Sequence, residues 1–509
     1  MKRDGASKSI WQEGMKDYQP VNSWNKDDIY DVLIVGGGIT GLTTALLLQT
    51  AGKKCALAEA HNIGFGSTGG TTAHLNTILD TTYDVIEKNF SKESAKVVAS
   101  GTREAIHLVE QLVKQYNIGC DFVYEPSFIF STTDEQSGQL EKIVAAAVRA
   151  NVDADFTEEF SASFSHQKAC RFESQARLHI SRYLYGLALA FEKNGGILLQ
   201  QCIVNKVEEK GHFSADTSLG TIQANKIVYA THIPPGTNIL HFRNAPYRSY
   251  VQAFTLKNGD YPRGLIYDMN DPYNYYRTQM INGKEYIIAG GFDHKTGHNH
   301  NTEEVFVEQE AFLRKHFDID TIDFKWSSQY YTPVDGLPYI GLLPGENRIY
   351  TATGFGGNGI TYGSLAGKII SDLIIKTVSP YEKLFDPNRI KPVAGFKEFV
   401  KEGADVISQY ISLQFSYKKI KELAQIAPGE AMLAEWEGKK LALYKDENGD
   451  LHVLDPICPH EKCLVVWNNA EKSWDCPCHG SRFGCNGALL TGPAKKDLFQ
   501  IIWEDIEGD

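Results

Sequence analysis

Residues 30–41, YDVLIVGGGITG, decide the fold of the first part of this chain. The apolar run at its start is typical of a buried parallel strand. Three glycines break that run, and helix-forming residues follow as far as Gly52. A second apolar stretch, residues 54–59, ends in an acid, Glu59. The pattern predicts strand, turn, helix and strand, which is the start of an α/β domain.

The three spaced glycines, Gly36, Gly38 and Gly41, have separate physical tasks. The first permits a tight turn, the second lets a pyrophosphate approach the backbone, and the third lets helix and strand pack closely. The helix N-terminus adds free N–H groups and a positive dipole end. Glu59 is suited to hydrogen-bond ribose hydroxyls. We therefore predict dinucleotide binding; the alternative is a purely structural glycine turn.

Two later glycine-rich stretches indicate which dinucleotide it is. Residues 64–73, GFGSTGGTTA, follow directly after the predicted ribose acid, and residues 353–361, TGFGGNGIT, lie between another predicted strand and helix. A long ligand with backbone near its ribityl chain and ring, facing a second helix N-terminus, fits FAD.

Residues 30–378 resemble the D-amino-acid oxidase/glycine oxidase family of FAD-dependent oxidoreductases. The resemblance rests on the first fingerprint with Glu59, on residues 230–232 (ATH), and on residues 335–341 (DGLPYIG) leading into the late glycine turn. Some relatives tether the flavin through a histidine; here that position is Gly70, so no tether is predicted, and His74 is the fallback. The resemblance implies FAD contacts at Gly36, Gly38, Ile39, Gly41, Glu59, Ala60, Val204, Ala230, Gly354, Gly359 and Ile360.

Five of the nine cysteines fall between Cys458 and Cys485, which favours a metal site over a disulfide framework. There the chain contains a C-x-H motif, Cys458 to His460, and a C-x-x-H motif, Cys476 to His479. Two thiolates and two imidazoles are the ligand set of a Rieske-type [2Fe-2S] cluster. The same set can hold zinc, which is the alternative.

The flanking residues resemble the two cluster loops of Rieske proteins, 458–463 and 476–483, and residues 492–494 resemble their proline loop. The resemblance implies a disulfide between Cys463 and Cys478. It also implies that Ser481 donates to a bridging sulfur. Phe483 stands where high-potential relatives have a tyrosine, so we expect a mid-range reduction potential.

We therefore expect an α/β FAD-binding (Rossmann-like) domain with an α+β substrate domain, followed by a small all-β Rieske domain. The strand-like stretches between residues 251 and 291 suggest an antiparallel sheet in the substrate domain. The predicted parts are an N-terminal arm (1–29), the FAD-binding domain (30–105, 175–245 and 325–378), the substrate domain (106–174 and 246–324), a linker (379–416) and the Rieske domain (417–509).

The substrate site is the least defined part of the sequence. Segments 247–250, 273–277 and 293–298 offer tyrosines, an arginine suited to clamp a carboxylate, and histidines or lysine suited to proton transfer. The same residue types are often only solvated side chains. The candidates are Tyr250, Arg277, His294 and Lys295.

The two cofactors together predict an electron relay. A small amine or amino-acid-like substrate would give a hydride to the flavin, and the cluster would pass electrons singly to or from a partner protein. The alternative is an electron-transfer or redox-sensing protein without a small-molecule substrate. The net charge of −12 makes nucleic acid and anionic membranes poor partners. The polar N-terminus and the lack of a long apolar run lead us to expect a cytoplasmic protein.

Overall fold

The computed structural model describes residues 2–160, 164–299, 301–376, 378–389, 417–419, 426–436 and 438–501. Most of the predicted linker lies outside these residues. The α-helices are α1 (Ile39–Thr50), α2 (Ser67–Gly70), α3 (Tyr83–Asn89), α4 (Lys92–Gln115), α5 (Asp134–Arg149), α6 (Ile180–Lys193), α7 (Thr302–His316), α8 (Gly359–Lys376) and α9 (Glu382–Phe385). Short 3₁₀ turns cover Ile10–Gln12 and Ile239–Arg243.

The first large sheet has eight strands, and its main path contains the predicted fingerprint. The strands are β1 (Ile29–Val35), β2 (Cys55–Ala58), β7 (Ile197–Leu199), β8 (Val204–Lys210), β9 (His212–Thr217), β10 (Gly220–Tyr229), β16 (Tyr339–Leu342) and β17 (Ile349–Thr353). Strands β17, β10, β1, β2 and β7 run parallel in that order. Their carboxyl ends therefore meet at one edge, which is where α/β sheets bind ligands. The expected α/β fold is confirmed.

The second large sheet has nine strands. They are β3 (His74–Leu75), β4 (Val123–Ser131), β5 (Ala154–Thr157), β6 (Lys168–Arg177), β11 (Asn244–Leu256), β12 (Leu265–Asp268), β13 (Tyr275–Ile281), β14 (Lys284–Lys295) and β15 (Ile319–Pro333). The predicted antiparallel pairing between residues 251 and 291 is confirmed, while β12 joins β4 in parallel. The predicted boundaries 174/175 and 324/325 fall inside β6 and β15, because each strand continues in the same sheet beyond them.

The C-terminal region is all-β, as expected. One sheet contains β18 (Lys418–Lys419), β19 (Ala431–Trp436), β20 (Lys439–Lys445) and β21 (Leu451–Leu454), and the other contains β22 (Val466–Asn468), β23 (Ser473–Asp475), β24 (Arg482–Gly484) and β25 (Leu489–Thr491). The Asn448-Gly449 turn joins β20 to β21 as a hairpin. Within the described part of the chain, no helix has the length and apolar character needed to cross a bilayer.

The start of the N-terminal arm packs into the fold, whereas residues 12–29 are exposed or half-buried. Ile10 and Trp11 are fully buried in the main core. The Trp11 indole N–H donates to the carbonyl of Thr71, and the Ser9 hydroxyl donates to that of Gly69. The arm thus holds the second glycine-rich loop in place, which the sequence did not indicate.

Candidate active site

A cavity of about 980 Å³ is lined by both large sheets and by the C-terminal region. The carboxyl ends of β1, β2 and β10 line one half of it, and strands of the second sheet line the other half. Residues 489–492 and 494–497 of the C-terminal region complete the wall. This volume is at the upper end of what small-molecule and cofactor sites occupy.

The first half has the geometry of a dinucleotide cradle. Gly36 has φ +111°, and a Cβ there would lie 2.4 Å from the carbonyl oxygen of Ala230. A Cβ on Gly41 would lie 1.9 Å from the carbonyl oxygen of Gly36, so helix α1 packs directly on the turn. Gly38 is the N-cap residue of α1 and has no capping side chain, and the Ile39 N–H donates to the Thr68 hydroxyl at 3.3 Å. All three residues line the cavity, so the N-terminus of α1 faces the space in which a pyrophosphate can bind.

Glu59 stands at the end of β2 with its carboxylate in the cavity wall. One oxygen accepts a hydrogen bond from the Gly37 N–H at 2.6 Å, and the other accepts one from the His61 N–H at 2.9 Å. Burial raises the pKa of this carboxyl, and the two backbone N–H groups oppose that shift. The Glu59 carboxylate is thereby held beside the glycine turn, where the sequence predicts that it bonds to a ribose.

The other predicted FAD contacts lie around the same cavity. Gly41 and Gly354 do not line it; both shape turns behind the wall, Gly354 with φ +77°. A Cβ on Gly70 would lie 2.7 Å from the Ser328 hydroxyl, which leaves little room for a histidine at that position. The predicted residues that line the cavity are Gly36, Gly38, Ile39, Glu59, Ala60, Val204, Ala230, Gly359 and Ile360.

The four predicted iron ligands come together in the C-terminal region. The rings of His460 and His479 have centroids 5.0 Å apart, and the Nδ1 atoms of both are buried without a hydrogen-bond partner in the described part of the chain. Cys458 and Cys476 are buried free thiols in the same core. The two loops therefore carry two imidazole nitrogens without a described partner and two buried free thiols, which is the donor set of a [2Fe-2S] cluster of the Rieske type.

The structure joins Cys463 to Cys478, with Cα atoms 6.4 Å apart, in the disulfide that the resemblance implies. The bond ties together the two loops that carry the four ligands. The Ser481 hydroxyl accepts a hydrogen bond at 3.0 Å from the N–H of Ala494, in the loop after β25. The predicted proline loop is therefore fixed to the ligand loop.

Two side chains connect the cavity directly to the ligand loops. Tyr331 lines the cavity, and its hydroxyl donates to the carbonyl of His479 at 3.0 Å. His241 Nδ1 lies 3.1 Å from Nε2 of His460, and its own Nε2 lies 2.8 Å from the carbonyl of Pro234. Residues on either side of Pro234 line the cavity. Sequence reasoning missed both Tyr331 and His241, since neither belongs to a motif.

The four predicted catalytic residues lie outside the wall of this cavity. The Arg277 guanidinium is fully buried and donates to the carbonyls of Thr72 and Ala73 and to the side chain of Gln279, so it is not available to clamp a substrate carboxylate. Tyr250 and His294 bond to each other at 2.9 Å, and Lys295 ends β14 away from the cavity. We therefore do not propose substrate contacts for these four residues.

The second half of the cavity instead presents acids and tyrosines. Asp80, Asp293, Tyr273 and Tyr275 line it, and so does the fallback tether candidate His74. Nδ1 of His74 lies 2.6 Å from the Tyr267 hydroxyl, and its Nε2 has no partner among the described residues. The sequence predicts contributions here from segments 273–277 and 293–298, and the members that line the cavity are Tyr273, Tyr275 and Asp293. Asp80 was missed, because an isolated acid in a loop carries no recognisable pattern.

Comparisons with known proteins agree with both the predicted FAD site and the predicted cluster site. The family model of FAD-dependent oxidoreductases (DAO) matches residues 31–373, and the model of the Rieske [2Fe-2S] domain matches residues 416–501. The chain is 29% identical over 480 residues to the Bacillus subtilis (strain 168) protein named "Putative Rieske 2Fe-2S iron-sulfur protein YhfW", covering 94% of each chain. It is 26% identical over 391 residues to gamma-glutamylputrescine oxidoreductase of Escherichia coli (strain K12), covering 72% of this chain and 88% of that one.

Among solved structures, glycine oxidase from Geobacillus kaustophilus superimposes with a TM-score of 0.59 at 18% identity, covering 71% of this chain and 99% of that one. This likeness concerns the fold of the flavoprotein part. The family match covers more than half of the chain. The chain therefore belongs to the DAO family of FAD-dependent oxidoreductases and carries a C-terminal Rieske [2Fe-2S] domain.

Proposed function

We propose that this protein is an FAD-dependent dehydrogenase that oxidises a small amine or amino-acid-like substrate and releases the electrons through its Rieske cluster to a one-electron acceptor. The observation that supports the proposal is that the flavoprotein part and the Rieske domain line the same cavity. Residues of the Rieske domain line the flavoprotein cavity, and Tyr331 connects that cavity to the carbonyl of the ligand His479.

FAD would be held by the glycine turn at Gly36 and Gly38, by Glu59 at its ribose, and by the N-terminus of α8 at Gly359. Bound FAD supplies a two-electron acceptor for a hydride from carbon. The protein's own contribution is to exclude water and orient the substrate. Neutral His232 belongs to this wall; burial lowers its pKa to about 4, and its Nδ1 lies 3.1 Å from the Ser67 hydroxyl.

The cluster would be held by Cys458, His460, Cys476 and His479, braced by the Cys463–Cys478 disulfide. It supplies a one-electron carrier with a potential raised by its histidine ligands. His241 orients the His460 ring from the side opposite its orphaned nitrogen, which is the usual role of a partner behind a metal-binding histidine.

A dehydrogenase is supported more than an oxidase. Reduced flavin can react with O₂ unaided, so an oxidase has no need of a second redox centre beside its cavity. The named relatives, gamma-glutamylputrescine oxidoreductase and glycine oxidase, act on amine or amino-acid nitrogen compounds by name. The first point favours a dehydrogenase, and the names of the relatives favour oxidation next to nitrogen.

The test is anaerobic mixing of the purified, cofactor-loaded protein with a panel of amines, amino acids, N-methyl amines and hydroxy acids. We expect one class to bleach the flavin absorbance and the EPR signal of the reduced cluster to follow. A Cys476→Ser variant, lacking an iron ligand, should still bleach but show no cluster signal. If no compound bleaches the flavin while a reductase protein reduces both centres, the protein is an electron carrier without a small-molecule substrate.

A further inference from the structure

Asp80 and Asp293 are two of the carboxylates on the second half of the cavity, and neither has a cationic partner among the described residues. Asp80 accepts hydrogen bonds from the Tyr273 hydroxyl at 2.7 Å and from the N–H of Gly357 at 2.5 Å. Asp293, which also faces the Ser249 hydroxyl, accepts one from the Tyr330 hydroxyl at 2.7 Å, and its second oxygen is buried without a geometric hydrogen bond to any described residue. Among the ion pairs of the described residues, neither acid takes part. Burying two negative charges at one cavity without a positive partner costs free energy, and a bound cation would offset that cost.

Positive side chains are missing from this half of the wall within the described ranges. The lysines that line the cavity are Lys206 on β8 and Lys495 and Lys496 in the loop after β25. Lys206 pairs with Glu208, and Lys495 lies against Gly236 in the loop after β10. Arg277 follows Tyr275 closely in sequence, but its guanidinium donates hydrogen bonds to the backbone carbonyls of Thr72 and Ala73. A substrate carboxylate would therefore find no partner beside the two acids.

Tyrosine rings surround the same space. The centroids of Tyr273 and Tyr275 are 5.8 Å apart, and Tyr267 lies 6.2 and 6.5 Å from them. Tyr330 adds a fourth ring, held at Asp293. Aromatic faces attract ammonium groups, most strongly when the site is shielded from water, and several rings together recognise alkylated ammonium groups.

We propose that the substrate is a positively charged amine, an alkylamine or polyamine, without a carboxylate next to the reacting nitrogen. This inference rests on the proposed function and names the substrate class of that same site. The tyrosines and the two acids bind the ammonium form. Asp293 then takes the N–H proton, which frees the nitrogen lone pair. The C–H bond next to nitrogen breaks, its hydrogen and electron pair pass to FAD, and the lone pair forms the C=N bond of the product.

Binding can be tested without turnover. A quaternary ammonium has no nitrogen lone pair and cannot be oxidised in this way, so butyltrimethylammonium is a suitable cationic probe and butanoate its anionic counterpart. Both are titrated into the FAD-loaded full chain, followed by the flavin difference spectrum and by calorimetry. We expect the cation to bind and butanoate to bind at least tenfold more weakly.

Variants locate the binding. Asp293→Asn and Asp80→Asn should each weaken butyltrimethylammonium binding at least tenfold with FAD content unchanged. The matched control is Asp271→Asn, which removes the same charge from an exposed residue at the cavity wall and should change affinity less than twofold. An equal loss in Asp271→Asn would assign the effect to general charge and overturn the inference.

The outcomes separate the two proposals. If butanoate binds more tightly than the cation, or neither probe binds, the cationic-amine inference is wrong, whether or not some amino acid bleaches the flavin. If an amino acid does bleach it, the dehydrogenase proposal stands on its own. If the cation binds and no amine reduces the flavin, the binding site is correct and the dehydrogenase proposal fails.

Discussion

Arg482 of the Rieske domain is fully buried against Asp4 of the N-terminal arm. Its Nη1 donates to the Asp4 carbonyl at 2.7 Å and to the Asp4 carboxylate at 2.8 Å. These two residues belong to a buried network of three cations and three anions that joins the arm, strand β11 and the Rieske domain. Its ion pairs are Arg3–Glu471, Arg3–Asp4, Arg482–Asp4, Arg482–Asp475 and Arg248–Asp475.

Asp4→Ala should therefore loosen the Rieske domain from the flavoprotein. Removing one partner of a buried ion pair leaves an uncompensated charge and costs about 3–5 kcal/mol. We expect a lower denaturant midpoint for loss of the cluster's visible spectrum and faster proteolysis between the two parts. Asp27→Ala, at an exposed position of the same arm, should stay within about 0.5 kcal/mol of the parent. Equal midpoints for both variants would show that the network does not hold the domains together.

Gly41→Ala should abolish FAD retention. The added methyl would lie 1.9 Å from the carbonyl oxygen of Gly36, and backbone on both sides has to move. Flavin absorbance per protein after gel filtration measures the loss. Gly138→Ala is the matched control, because a Cβ there meets nothing within 4 Å in the middle of α5, and it should keep FAD and gain up to about 1 kcal/mol. Full FAD occupancy in Gly41→Ala would contradict the close packing of turn and helix.

His241→Ala should make the cluster easier to lose. His241 is the side-chain partner of His460 Nε2, and loss of such a partner typically costs 10–100-fold in metal affinity. The decay of cluster absorbance in excess chelator gives the rate, which we expect to rise at least tenfold. His107→Ala, exposed on α4, should leave the rate unchanged. A His241→Ala rate equal to that of the parent would mean that the ring needs no support from the flavoprotein.

The local features of the fold could be predicted because each follows from residues close in sequence. The fingerprint turn, the cluster loops and the Asn448-Gly449 hairpin all carry their signal within about ten residues. Strand β15 shows the limit of this reasoning. The predicted domain boundary after residue 324 falls inside this strand, which continues in the same sheet to Pro333. Its length is set by pairing with β11, which is distant in sequence.

The candidate site divides in the same way. Its cofactor half consists of motifs, whereas its substrate half consists of single side chains brought together from strands β12, β13, β14 and β15 and from two loops. The sequence favours Arg277 because an arginine on an inner strand face can bind a carboxylate. The second glycine-rich loop offers its carbonyls to that guanidinium instead, a contact between residues about 200 positions apart. Such contacts cannot be predicted from spacing.

Phe483→Tyr should raise the reduction potential of the cluster. Phe483 is fully buried in the core that contains Cys458 and Cys476. A phenol hydroxyl there can donate to a ligand sulfur, which stabilises the reduced, more negative state. The midpoint of an EPR-monitored redox titration measures the shift. Phe499→Tyr adds the same hydroxyl at an exposed position and should leave the midpoint unchanged. An unchanged or lower midpoint in Phe483→Tyr would contradict the assignment of the mid-range potential to this residue.

Binding of butyltrimethylammonium should become tighter as the pH rises. Burial raises the pKa of Asp293 to about 7, so the carboxyl is neutral at lower pH and negatively charged above it. The ligand has no ionisable proton, and its affinity should therefore increase between about pH 6 and pH 8 and level off beyond. The groups that face Asp293 include the acid Asp80, which raises its pKa further, and the hydroxyls of Ser249 and Tyr330.

Two variants identify the titrating group in that profile. Asp293→Asn should flatten it, because the remaining amide cannot ionise. Asp80→Asn should move its midpoint to lower pH, since removal of a neighbouring negative charge makes ionisation of Asp293 easier. Calorimetric titrations across the pH range measure both effects. A profile that keeps its midpoint in Asp293→Asn would assign the titration to another group and remove Asp293 as the proton acceptor of the proposed reaction.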